Sequence, residues 1–93
     1  MSAEVSVFVI DRGDGYCRLT TNAERNLVDD QGPMVRARRA YPDWGAALDA
    51  TRALRARLIG AGAMQADGYI EPGAELEAVV AELLAGHLAP ASQ

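Results

Sequence analysis

Residues 5–21, "VSVFVIDRGDGYCRLTT", decide the fold, because two extended runs flank a stretch that must either turn the chain or bind something. Val5, Val7 and Val9 alternate with Phe8 and Ile10, so the first run is apolar on both faces and predicts a central strand. "YCRLTT" at 16–21 resumes extended character. Between them "DRGDGY" at 11–16 admits three readings. Arg12-Gly13-Asp14 spells an adhesion tripeptide. Two glycines around an acid suggest a phosphate or metal loop. The same residues also suit a hairpin, in which Gly13 and Gly15 supply positive φ and the aspartates hydrogen-bond the turn backbone. The hairpin is the strongest reading, since the chain must reverse to pair the two runs. A phosphate loop needs Gly-Lys-Ser/Thr opening a helix, and the chain has no lysine. Asp11 and Asp14 lack the remaining ligands of a calcium loop.

Outward from the hairpin, "TTNAERNLV" at 20–28 fits either a helical turn, with Thr21 and Glu24 at capping-box spacing, or a continued strand. "DDQGP" at 29–33 reads as a turn. "MVRARRAY" at 34–41 puts Val35, Ala37, Arg39 and Tyr41 on one side and Met34, Arg36, Arg38 and Ala40 on the other. That pattern predicts an edge strand whose charges discourage further pairing. Pro42 suits the first position of a helix, and Asp43 favours its dipole. Trp44, Ala47, Leu48, Thr51, Leu54 and Leu58 recur at helical spacing as a core stripe, with Gly60 and Gly62 ending the helix. A connector, "AMQADGYIEP" at 63–72, carries a tight turn at Asp67-Gly68. The last helix shows a stripe of Leu76, Val79, Val80, Leu83 and Leu84, with Glu75, Glu77 and Glu82 off it and Gly86 closing it. The fold class is α+β: a small three-stranded antiparallel sheet followed by two helices, β-β-β-α-α. It forms one domain over residues 1–93, with a flexible tail at 88–93.

Composition narrows the functional classes. Of 46 apolar residues 18 are alanine, leaving 28 with side chains large enough to fill a core, so stability is modest or shared with a partner. No apolar run reaches membrane-spanning length and no basic region precedes the first strand, which predicts a cytoplasmic protein. The single cysteine, Cys17, excludes an internal disulfide framework and fits a reducing compartment. The net charge of -4 is unevenly placed: residues 1–32 sum to -3, residues 33–59 to +4 and residues 60–93 to -5. A basic middle is thus flanked by acidic ends, whose simplest use is mutual attraction within the fold.

The order of elements over residues 5–58 resembles the HicB-like antitoxins, in which a strand, a "dGY"-type turn, two more strands and a helix begun by a proline follow one another. The residues that carry the likeness are "GDGY" at 13–16 and "YPDWGAAL" at 41–48. The resemblance implies a βββα core and an antitoxin role. In size and composition the chain also looks like small phage-encoded inhibitors of the anti-CRISPR kind, which implies stoichiometric docking on a host complex that handles nucleic acid.

The residues themselves point to no enzyme, no cofactor and no metal. Only Cys17 and His87 could pair as nucleophile and base, and Cys17 reads as half-buried strand packing. "GAGAMQ" at 60–65 follows a helix rather than a strand and has Gln65 where a dinucleotide loop needs its third glycine. The expected function is therefore a non-enzymatic protein-binding module, with an antitoxin or a small RNA-binding domain as alternatives. Its candidate partner-binding residues are the acids Asp67, Glu71, Glu75, Glu77 and Glu82, the turn charges Arg12 and Asp14, and Arg36 and Arg38 of the third strand. Arg36, Arg38, Arg39, Arg52, Arg55 and Arg57, with Tyr41 and Trp44, could serve nucleic acid. Net negative charge, the division of the strand arginines between faces and the place of Trp44 in the core stripe weigh against that. Two helices can cover only one face of a sheet that is apolar on both, so a homodimer through the other face is expected.

Overall fold

The computed structural model describes residues 4–21 and 34–88, except for the side chains of His87 and Leu88. Strand β1 (Val5–Asp11) pairs antiparallel with β2 (Cys17–Thr21) and with β3 (Val35–Tyr41), giving the sheet order β2-β1-β3. Helices α1 (Trp44–Gly60) and α2 (Ala74–Leu88) follow. The expected α+β class and element order are those observed. The expectations for residues 22–33, for the tail beyond residue 88 and for the His87 side chain lie outside what is described.

The opening stretch is a hairpin. The Arg12 N–H donates to the Tyr16 carbonyl at 2.8 Å. Asp11 Oδ1 accepts from the Gly13 and Gly15 N–H groups, and Asp14 Oδ1 from the Tyr16 N–H. Gly13 and Gly15 stand at φ 115° and 98°, where a side chain would be strained.

On the helix-covered face, Val5, Val7 and Val9 join Cys17, Leu19 and Ala37 from the neighbouring strands, and Ala47, Leu54, Leu58, Leu76, Val79, Val80 and Leu83 from the helices. Cys17 is fully buried here rather than half-buried. Thr51 enters the same layer because its hydroxyl donates to the Ala47 carbonyl at 2.8 Å, which satisfies it without water. The connector contributes Ala63 and Ile70. Ile70 pairs with Cys17 through two backbone hydrogen bonds and so extends the sheet beyond β2. The expected turn at Asp67-Gly68 is present: the Gly68 N–H bonds the Gln65 carbonyl, and the Gln65 N–H bonds the Tyr69 carbonyl.

Strict alternation fails in β3. The register steps from Val9↔Ala37 to Ile10↔Val35, so Arg36 is an extra residue, a β-bulge. Val35 therefore shares the face of Ile10, and Arg36 turns to the helix side, where it reaches Glu77 of α2. Arg38 stays on the other face, above the Phe8 ring. That second face is not an open apolar patch at Phe8, which is only 3% exposed in the single chain.

The helix ends also differ from expectation. Asp43, not Pro42, makes the junction of α1: it is the N-cap, and its carboxylate accepts from the Ala46 N–H at 2.9 Å. Trp44 and Leu48 leave the core stripe and are exposed, as is Leu84 of α2. At the other end of α1 the Gly62 N–H bonds the Ile59 carbonyl and the Ala63 N–H bonds the Leu58 carbonyl, a Schellman closure with Gly62 at φ 73°. Gly86 does not close α2, which continues to Leu88. Its role is spatial, since a Cβ there would overlap the Arg39 side chain.

Alanine in a helix interior exceeds glycine by about 1 kcal/mol, but Gly86→Ala must displace Arg39. Urea unfolding should show little or no gain for Gly86→Ala alone. The gain of about 1 kcal/mol should appear in an Arg39→Ala background. Equal gains in both backgrounds would show that the close approach costs nothing.

Candidate functional site

The charged residues singled out in the sequence mostly find one another. Arg12 and Asp14 form an ion pair at 2.7 Å within the hairpin turn, so the charges of the Arg-Gly-Asp tripeptide neutralise each other. The hydrogen bond from Arg12 holds the Asp14 carboxyl below its ordinary range. The Arg12 guanidinium also lies 4.4 Å from the centre of the Tyr69 ring and 5.0 Å from that of Tyr16, which ties the turn to the connector.

Three acids of α2, Glu75, Glu77 and Glu82, meet two arginines of the middle, Arg36 and Arg57. Arg36 donates to both carboxylate oxygens of Glu77, at 2.9 and 3.1 Å. Arg57 of α1 reaches Glu82 at 2.5 Å and Glu75 at 3.9 Å, bridging the two helices. Glu71 accepts from the Gln65 amide, and Asp67 from the Tyr69 N–H. Arg38 donates to the Ser6 hydroxyl on the far face of the sheet. The nine candidate residues therefore do not converge on one surface. Most are partners in ion pairs that join β3 to α2, α1 to α2 and the turn to itself. Among the described residues no cluster of three or more histidine, cysteine, aspartate or glutamate side chains could hold a metal ion. No helix among them is long and apolar enough to cross a membrane.

A different surface stands out. Trp44, Leu48 and Ile59 of α1 are 47%, 40% and 58% exposed, and Arg52 and Arg55 lie exposed between them. At about 100° per residue these five positions fall within an arc of roughly 80°. They form one stripe beside the buried line of Ala47, Thr51, Leu54 and Leu58. Arg52 and Arg55 have no carboxylate partner among the described residues, unlike Arg12, Arg36 and Arg57. Near Ile59 the stripe runs into an open groove of about 550 Å³ between α1, the connector and Arg18 of β2. From sequence, Arg52, Arg55 and Trp44 suggest only a nucleic-acid contact, and spacing alone places Trp44 and Leu48 in the core, so the apolar stripe does not emerge. The signal that separates them is phase: they share an arc with Arg52 and Arg55, not with Leu54 and Leu58.

Comparison with protein families, curated proteins and solved structures finds no match to this chain.

Two outcomes follow from the charges. Exposed ion pairs contribute roughly 0.2–1 kcal/mol each, so Glu77→Arg should lower the melting temperature by a few degrees through repulsion with Arg36. The double exchange Arg36→Glu with Glu77→Arg should restore most of the loss, and no restoration would mean that the pair is not what Glu77 contributes. The Cys17 thiol is pushed up, chiefly by burial, and so is the Tyr41 hydroxyl. A raised folded value means stability that is complete below the unfolded thiol's value of about 8.5 and is lost as pH rises towards the folded one. Thermal melts from pH 7 to 10 should show this decline, and Cys17→Ala should make it shallower. An unchanged decline in the variant would assign the effect to other groups.

Proposed function

We propose that the chain is a non-enzymatic protein-binding module that works by stoichiometric docking, and that the exposed face of α1 is its docking surface. One observation carries this reading. Three large apolar side chains and two arginines with no carboxylate partner among the described residues share one stripe of a well-capped helix, whereas Arg57, the remaining arginine of α1, is committed to Glu82 and Glu75 of α2. Side chains of this kind, a tryptophan and arginines above all, dominate protein interfaces. A rigid helix presents them at little entropic cost. Within this class the most specific reading is a phage or mobile-element inhibitor, similar in kind to anti-CRISPR proteins, that blocks a host complex handling nucleic acid. Blocking requires a surface and an affinity, and no chemistry. The buried free thiol of Cys17 suits action in the reducing cytoplasm.

The test is co-purification of the tagged chain with host extract, followed by mass spectrometry and gel filtration of the captured protein with purified chain. An equimolar complex is expected. Leu48→Asp with Ile59→Asp, at exposed positions, should abolish it while leaving the melting curve within a few degrees. A complex that forms equally well with the double variant would remove α1 from the interface.

A further inference from the structure

We infer that the α1 stripe and the groove at its end form a seat for an acidic amphipathic helix of a partner protein. This rests on the docking reading of α1 and adds the chemistry of what docks.

The stripe is straight. At 1.5 Å per residue, Trp44 to Ile59 spans about 22 Å, or four turns. A stripe of that length, apolar at Trp44, Leu48 and Ile59 and basic at Arg52 and Arg55 between them, matches an amphipathic helix laid alongside at a shallow crossing angle, with apolar residues against the two ends and acids against the middle. A folded loop would touch only part of it. The charge on the line has one sign. Arg52 and Arg55 sit between Leu48 and Ile59, and Arg18 joins Arg55 along the groove with Met64 and Gln65. The one acid lining that groove, Asp67, spends an oxygen on the Tyr69 N–H. Covering Leu48 and Ile59 removes water from around the arginines, which makes carboxylates opposite them worth more than on an open surface and makes lysines there costly. The partner helix must therefore carry aspartate or glutamate beside its apolar line.

Two other occupants fit less well. Nucleic acid would use the arginines and the Trp44 ring but would leave Leu48 and Ile59 without an apolar counterpart. A second copy docked symmetrically would bring Arg52 and Arg55 towards the same residues of the first, like charge against like. The net charge of -4 repels acidic partners at long range, so selection must come from contact within the Debye length of about 8 Å.

Trp44 is the only tryptophan, and it heads the stripe, so its fluorescence reports occupancy directly. The probes are three: a tryptophan-free 18-residue helical peptide of leucine and glutamate with leucine at i, i+4, i+7 and i+11; the same peptide with lysine for glutamate; and a single-stranded RNA 15-mer. The Leu/Glu peptide should bind saturably with a blue shift, at least tenfold more tightly than the Leu/Lys peptide. Arg52→Glu with Arg55→Glu should reverse that preference, and Leu48→Asp should abolish binding of both peptides. Circular dichroism of each variant checks that the fold persists, and Ile59→Asp serves as the second apolar variant should Leu48→Asp unfold. Equal binding of the two peptides, no binding of the Leu/Glu peptide, tighter binding of RNA, or self-association lost in the Leu48→Asp variant would overturn the acidic-helix assignment. If the captured partner of the intact chain depends on Leu48 but not on Arg52 and Arg55, the docking reading stands and this one falls. If the Leu/Glu peptide binds as expected but no cellular partner depends on α1, the seat exists and the docking function does not.

Discussion

Burial of β1 on both faces is the constraint from which the rest of the molecule follows. Val5, Val7 and Val9 meet the helices, while Ser6 and Phe8 are nearly inaccessible on the opposite side. The two hydrogen-bonding edges of β1 are also paired, which makes it the centre of the sheet. The hairpin supplies β2, and the later chain supplies β3. With so many alanines, few large side chains remain to fill the space between sheet and helices. α2 approaches β3 closely at Gly86, where a Cβ would overlap the Arg39 side chain.

The bulge at Arg36 converts this packing into a charge arrangement. Without the extra residue, Arg36 would lie beside Arg38 on the face of Phe8. With it, Arg36 reaches Glu77 and lies close enough to the Cys17 thiol to interact with it. Arg57 does the corresponding work between the helices. The uneven charge of the sequence is in this way partly spent inside the fold. Arg52 and Arg55 are left outward on α1, beside side chains that would ordinarily be buried.

The element order was legible because its signals are local. Two glycines and two aspartates between apolar runs specify a hairpin, and the leucine and valine spacing after residue 75 specifies a helix. The bulge is not legible, since a one-residue shift of register against β1 leaves no mark in "VRARRAY" while reversing the side on which Arg36 emerges. In the sequence Gly86 reads as a terminator, because the usual reason for glycine near a helix end is its backbone, and only the tertiary structure reveals the arginine that needs the space. The apolar part of the α1 stripe is hidden in the sequence for a related reason. Helical spacing identifies which residues share a face but does not say how wide the buried arc is, and here Trp44 and Leu48 fall just beyond it.

The direction of the strands bears on how the chain reaches this state. β2 ends beside Val7, whereas β3 begins beside Ile10, so β2 and β3 run parallel to each other on either side of β1. The β1–β2 pairing closes a short loop and belongs to the microsecond class of hairpin events. The β1–β3 pairing joins residues some 25–36 positions apart and bears a larger closure entropy. The hairpin is thus expected to form first and β3 to join it later. Substitutions at Asp11 should slow folding, whereas those where α2 meets β3 should chiefly speed unfolding.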